Sequence, residues 1–418
     1  MIEKYYSGVI EQIYNRIGKE TRNIVMANYS NDFSIENLEV IRRYQSNEDN
    51  VFFAYSEFSY NTLVGAYEPF LDIICNMHRR FIGGSFDDFQ KECGVYYLHR
   101  QVLNSYYETG ECFREETVLL NEVAYEQRRM TMAIADMLKK LSEVKPLMIV
   151  INRFQMASKS SIETIKYLID NPCANIGIVL GVNAIVKGTD STVEVWDRIV
   201  ESLEDRSAIY YIGSAGPLKN NVKTTNDDEL YITMNFEQSI QEASNIMEFL
   251  DFEQARRGCR IIEHKLKFED AWIDEKSLRR FYMVYARTSV LLGEMSKAIE
   301  LTNEYKALIP ENDSEHYLSL YYFMKGTCYM YQGKLEKAGN SAKSAYDYAV
   351  LAEDDTLIFK AELLSVMIKM SGWYNIFFCV QDIPVSDEII EKLIKHGYRN
   401  HLAHIYIYAY DNSRDVVK

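Results

Sequence analysis

Apolar residues in the first half of the chain fall into short continuous runs, separated by longer stretches with helical spacing. The first run is Asn23-Ile24-Val25-Met26-Ala27. It leads through a polar turn, Asn28 to Asp32, into a helix-like stretch from Ser34 to Tyr44. Val51 to Tyr55 reads as a second strand, and Tyr60 to Phe81 carries apolar residues three and four apart, the signature of one helix. Residues 84–142 predict several helices. Leu147 to Ile151, preceded by Pro146, is wholly apolar and predicts a strand buried on both faces, followed by a helix beginning near Ser160. Asn175 to Val182 is a further strand and Trp196 to Leu203 a helix, with Ala208 to Ile212 and Tyr231 to Phe236 closing the half as strands. Such alternation, with few polar positions inside the strands, predicts a largely parallel sheet covered on both faces.

After Phe236 the strand signals stop and a repeat begins. Small residues recur at Ala286, Gly326 and Ser365, and each is followed seven residues later by Gly293, Gly333 or Gly372. In the first two copies an alanine, Ala298 or Ala338, comes five residues after the glycine; the third has Phe377 there. A weaker copy lies upstream at Ala243, Leu250 and Ala255. The pattern is that of a helical hairpin: a small residue allows close approach, and the glycine takes the positive-φ position that ends the first helix.

Composition narrows the picture. The 418 residues fit two domains, and 19 Gly with 6 Pro favour helix over a loop-rich β architecture. No apolar run reaches the roughly 18–20 residues of a membrane span, and the N-terminus shows no leader pattern, so a cytoplasmic location is expected. Seven scattered cysteines without a C-x-x-C pair predict reduced thiols. The net charge, 46 − 61 = −15, offers DNA phosphates no counterpart.

The repeat spacing resembles tetratricopeptide (TPR) repeats of an elongated, roughly 40-residue kind. The first half resembles the ATPase domain of STAND-class signal-transduction NTPases, the type found in large LuxR-family bacterial regulators. Lys145 to Tyr167 resembles their Walker B segment, with Phe154, Gln155 and Ser160-Ser161 at matching places. Asn175 to Asn183 resembles the following strand, and Tyr67-Glu68-Pro69-Phe70 their aromatic-x-Pro-Phe element. The resemblance implies a phosphate loop after the first strand and a carboxylate pair after the third. Where the loop's glycines and lysine belong, the chain has Asn28, Asn31 and Ser34; where the carboxylates belong, it has Asn152 and Arg153. The sensor arginine is also missing near Ala184-Ile185. These departures imply a degenerate domain with no cofactor and no hydrolysis. The winged-helix and helix-turn-helix modules of such regulators find no place, so the chain is expected to be a shortened relative or part of something longer.

The expectation is therefore an α/β, parallel-sheet, P-loop-NTPase-like domain over residues 1–235, degenerate in its site, then an all-α TPR-like solenoid over 236–418. Asn152 and Arg153 fit a remodelled polar site less well than a satisfied strand end. His401 and His404 have metal-compatible spacing but no third ligand nearby. Ser30 and Ser34 lack a nucleophile context. Among 32 tyrosines, Tyr282, Tyr285, Tyr317, Tyr321 and Tyr322 fall on the first helices of two repeats, where they serve either a partner or the packing between hairpins. A non-catalytic regulatory protein binding a protein or peptide follows, oligomerisation being possible. The alternatives are a nucleotide-dependent switch with a non-standard site and a direct DNA-binding regulator.

Overall fold

The computed structural model describes residues 2–29, 38–46, 50–59, 63–114, 116, 118–183, 209–211, 235–268, 273–312, 314–375 and 386–415. The chain forms two compact units, Met1–Glu115 with Asn121–Ala271, and Glu116–Leu120 with Trp272–Lys418. Among the described residues no helix is long and apolar enough to cross a membrane.

The first unit is built on five parallel strands: β1 (Ile24–Tyr29), β2 (Phe52–Glu57), β3 (Leu147–Asn152), β4 (Ile176–Asn183) and β5 (Ile209–Tyr211). Their order is β2-β3-β4-β1-β5, so the parallel sheet expected from the apolar runs is present. Every residue of β3 is buried, as strands covered on both faces require. On one face Val25, Ala27, Phe53, Met148, Val150 and Val179 pack against α1 (Ile2–Arg16) and α2 (Glu39–Ser46) through Tyr6, Ile10, Ile13, Val40 and Ile41. The connection from β1 to β2 crosses the sheet in one direction and those from β3 and β4 in the other. Right-handed crossovers therefore place α7 (Lys159–Asp170) on the opposite face, toward which Ile149, Ile151, Ile178 and Leu180 turn.

The elements depart from expectation in instructive places. Helix α1 was not anticipated, although Tyr6, Val9, Ile10 and Ile13 keep helical spacing and are buried. The single helix expected over 60–81 begins only at Phe70: α3 (Phe70–Met77) continues as a π-helical turn, His78–Ile82. Pro69 disfavours helix at the residue before it, and Tyr67 sits at φ 57. Asn28 pairs with Val182 and Tyr211 within the sheet rather than opening a turn. The several helices expected over 84–142 are α4 (Phe86–Glu92), α5 (Tyr97–Thr109) and α6 (Val123–Val144). The helix over Trp196–Leu203, residues 231–234 of the last predicted strand and Phe377 lie outside the described residues; Phe236 instead opens a helix capped by the Asn235 side chain.

Helices α8 (Phe236–Glu248) and α9 (Phe252–Phe268) form the upstream hairpin, and they belong to the first unit rather than the second. Hydrogen bonds explain the shifted boundary. The Cys112 amide donates to Asn245 Oδ1 at 2.9 Å, and Gln254 Nε2 donates to the Val64 carbonyl at 2.9 Å. The second unit holds α10 (Glu275–Leu291), α11 (Met295–Ala307), α12 (Ser314–Tyr331), α13 (Leu335–Leu351), α14 (Asp355–Asn375), α15 (Asp387–Lys395) and α16 (Arg399–Asp415).

The glycine turns end helices as anticipated. After α10, Gly293 (φ 78) donates to Val290 O and Glu294 to Ser289 O; after α12, Gly333 (φ 71) and Lys334 repeat the pair. Two other turns place bulkier residues at the same left-handed position: Leu250 (φ 69) and Glu353 (φ 52). The third predicted glycine, Gly372, lies inside α14, so that copy has no turn there. Close approach is real at Gly326, where an added Cβ would lie 3.0 Å from Leu364 Cδ2 and 3.3 Å from Ser341 Cβ.

Glu353 is exposed, so its positive φ carries a backbone cost without a packing gain. Glu353→Gly should stabilise the protein by about 0.5–1 kcal/mol, read as a higher urea midpoint. The same exchange at Leu250, whose side chain is buried, should destabilise it instead.

Candidate functional site

The chain leaves β1 and β4 in opposite directions, so these adjacent strands mark the switch point of the sheet. Of the positions marked in the sequence, Asn31 and Ser34 lie outside the described residues, and Asn28 is placed only by its backbone in β1. Asn152 and Arg153 stand at the end of β3, two strands from β1, and can be followed atom by atom.

Asn152 is fully buried. Its carbonyl accepts from the Phe58 amide at 3.2 Å, and its side chain points to the face covered by α1. An added Cβ at Gly181 would stand 2.7 Å from Asn152 Oδ1 and would collide with the Tyr6 hydroxyl. The glycine in β4 thus makes room for a polar pair on the α1 side of the sheet. Arg153 adopts φ 55, a conformation unusual for a side chain of this size. That turn aims its guanidinium at β2: Nη1 lies 3.2 Å from Glu57 Oε1 and 3.4 Å from the Phe58 carbonyl. Tyr55 donates its hydroxyl to the same carboxylate.

Glu57 is the residue that sequence reasoning missed. The apolar run ends at Tyr55, whereas the strand continues two residues and brings Glu57 into register with Asn152. The acid at this rim therefore comes from β2, and an arginine neutralises it. The side chains are only partly exposed, 20% for Arg153 and 16% for Glu57. In this state the pair offers neither an uncompensated carboxylate for a divalent cation nor an unengaged guanidinium for phosphate.

A second polar assembly forms where α7 begins. Ser158 caps the helix, and its hydroxyl lies 3.0 Å from Ser160 Oγ and 2.9 Å from Ser161 Oγ. Tyr67, at positive φ and buried, donates its amide to Ser160 Oγ at 3.0 Å, while Ser161 Oγ donates to the Glu68 carbonyl at 2.7 Å. The Ser160 amide donates to Asp251 Oδ2 at 3.0 Å, and Asp251 Oδ1 accepts from the Gln254 amide at 3.4 Å. Burial raises the Asp251 carboxyl above its ordinary range, opposed by these donors. Beside the assembly is a cavity of about 450 Å³ edged by Arg128, Lys159, Glu163 and Asp170. Its lysines are engaged: Lys159 with Glu253 at 3.3 Å and Lys166 with Asp170 at 2.7 Å.

A smaller cavity of about 240 Å³ lies next to Gly65, Glu68, Asp72, Tyr106 and Glu242. The Gly65 amide donates to Glu68 Oε2 at 2.9 Å and Tyr106 donates to Asp72 at 3.1 Å. Burial, then the neighbouring Glu68 and Asp72 carboxylates, push Glu242 up to about 7.

The five tyrosines divide. Tyr285 and Tyr321 are core residues, 3% and 2% exposed, and present no contact surface. The packing reading holds for these two because their rings turn between neighbouring helices. Tyr282, Tyr317 and Tyr322 are half-buried; Tyr322 stacks on Tyr348 with centroids 5.6 Å apart, and Arg279 lies 5.0 Å from the Tyr317 ring centre. His401 is buried against Glu116, and among the described residues no group of three metal-binding side chains converges. The chain matches no family model, no curated protein and no solved structure.

Two outcomes follow from these contacts. Gly181→Ala should destabilise the protein by about 1–3 kcal/mol in urea, and Tyr6→Phe, which removes the hydroxyl in the way, should recover part of that loss. Glu242 has a folded pKa above its unfolded value, so its contribution is complete below about 4.5 and lost as pH rises through about 7. Glu242→Gln should therefore flatten the thermal stability profile between these values and raise stability at pH 8 by on the order of 1–3 kcal/mol.

Proposed function

We propose that the protein is a non-catalytic regulatory protein, a degenerate STAND-type NTPase fold joined to TPR-like hairpins, that binds a protein or peptide partner. The observation carrying this reading is the rim of β3, where Asn152 and Arg153 stand in the place of an acidic pair and Arg153 is held by Glu57. Three features add support. The sheet is parallel, with β1 at a switch point. The hairpins recur with left-handed turns at Gly293 and Gly333. The net charge of −15 disfavours direct action on DNA. The setting proposed is bacterial signalling or transcription control, by way of the resemblance alone. Half-buried Tyr282, Tyr317 and Tyr322 are the tyrosines left to contact a partner.

Thermal unfolding with and without magnesium and ATP tests the reading. A nucleotide at a hundred times its Kd would add about 2.7 kcal/mol, a shift of several degrees. We expect no shift with ATP, ADP or GTP. A magnesium-dependent rise that survives Arg153→Ala would establish instead a nucleotide switch with a non-standard site.

A further inference from the structure

The second unit contains a short stretch that is remote in sequence from its helices, residues Glu116–Leu120, which precede α6 by only a few positions. Its described residues form no strand and only begin a short 3-10 turn at Leu120, yet the three before Leu120 are buried. Glu116 is fully inaccessible, and Val118 and Leu119 are 7% and 6% exposed. Glu116 Oε1 accepts the backbone amide of His401 at 2.9 Å and lies 2.7 Å from His401 Nδ1. That amide is in the first turn of α16, where the helix dipole favours an anion, and Tyr398 packs its ring against the same imidazole. At the other end the Leu120 amide donates to the Tyr331 hydroxyl of α12 at 3.2 Å. A carboxylate and a backbone amide are thus each received by residues more than 200 positions away, with two buried aliphatic side chains between them.

We infer that this is a peptide-recognition site of the second unit, with the chain's own residues 116–120 as resident occupant. Its external partner is an extended peptide carrying a glutamate followed, two and three residues later, by aliphatic side chains. The anion is the obligatory feature. Without it the His401 amide and imidazole would be buried without an acceptor, a cost on the order of 1–3 kcal/mol for each group. The aliphatic pair supplies apolar burial, and Tyr331 fixes the backbone. The resident segment is tethered, so a competitor faces an effective concentration in the millimolar range. This inference deepens the proposed function, since it names the class of partner that the helical unit would take.

The probe is a nine-residue peptide with the sequence of residues 113–121, added to the full-length protein. In amide hydrogen exchange at about 10 mM peptide, above the tethered segment's effective concentration, the protein's Leu120 amide should lose protection. The His401 amide should keep it, because the peptide's carboxylate replaces Glu116. A peptide with glutamine at the Glu116 position should displace at least ten-fold less well. In fluorescence anisotropy, a Glu116→Gln protein should bind the labelled parent peptide at least ten-fold tighter than the unmodified protein, and His401→Ala added to it should abolish the gain. If Glu116→Gln fails to fold, the exchange experiment on the unmodified protein decides alone. Unchanged Leu120 protection, or equal displacement by the glutamine peptide, would overturn the inference. Neither result bears on nucleotide binding, so failure here and failure of the pseudo-NTPase reading are separately visible.

Discussion

Burial of β3 on both faces constrains everything at its carboxyl end. Five consecutive buried apolar residues, Leu147 to Ile151, deliver the chain to a rim where the next two side chains must find partners with little help from water. Asn152 solves this on the α1 side, in space left by Gly181. Arg153 solves it by leaving the strand through a left-handed turn and pairing with Glu57 on β2. A guanidinium partly shielded from solvent is tolerated when a carboxylate and a carbonyl meet it, and both do here. The electrostatics of the rim are thereby closed within the protein.

A different device organises the helical parts. A carboxylate seated on the first turn of a helix satisfies amides that have no intrahelical acceptor and meets the favourable end of the dipole. Asp251 does this for α7 and α9 at once, which is why the hairpin α8–α9 belongs to the α/β unit although its sequence pattern is that of the repeats. The hairpin's turn reinforces the point. Leu250 holds a left-handed conformation that the turns after α10 and α12 give to glycine, and its burial at 3% exposure compensates the backbone cost.

What was legible in the sequence follows from these causes. Apolar runs revealed β1 to β4 because their cores are apolar, most completely in β3, which is buried on both faces, and β5 was placed within a residue at either end. Helix α1 went unread because tyrosine and polar residues dilute its apolar stripe. The helix over 60–81 was overextended because periodicity outweighed Pro69. The glycine turns were legible at Gly293 and Gly333, since positive φ selects glycine, and misleading at Gly372, where the helix runs through. Glu57 was invisible because its role depends on register with Asn152, a relation between strands nearly a hundred residues apart. Burial of Tyr285 and Tyr321 likewise depends on the neighbouring helix, so helical position alone could not separate them from Tyr282, Tyr317 and Tyr322.

Glu116 and Asp251 use the same physics at two places, with different consequences. Asp251 lies one residue ahead of α9, one of the two helices it caps, so chain connectivity keeps it at that helix end. Glu116 caps α16 from 285 residues away in sequence, and only the surrounding contacts hold it there. Its segment contributes two buried aliphatic side chains and one described backbone hydrogen bond to a tyrosine, a modest set of contacts for a stretch of five residues. The anion site is demanding because an amide and an imidazole stay unsatisfied without an acceptor, whereas the apolar contacts are generic. Occupancy of such a site is therefore decided by charge and placement more than by sequence identity. Any chain segment able to present a carboxylate at that helix end, with aliphatic groups at the right offset, meets the same requirements as the resident one.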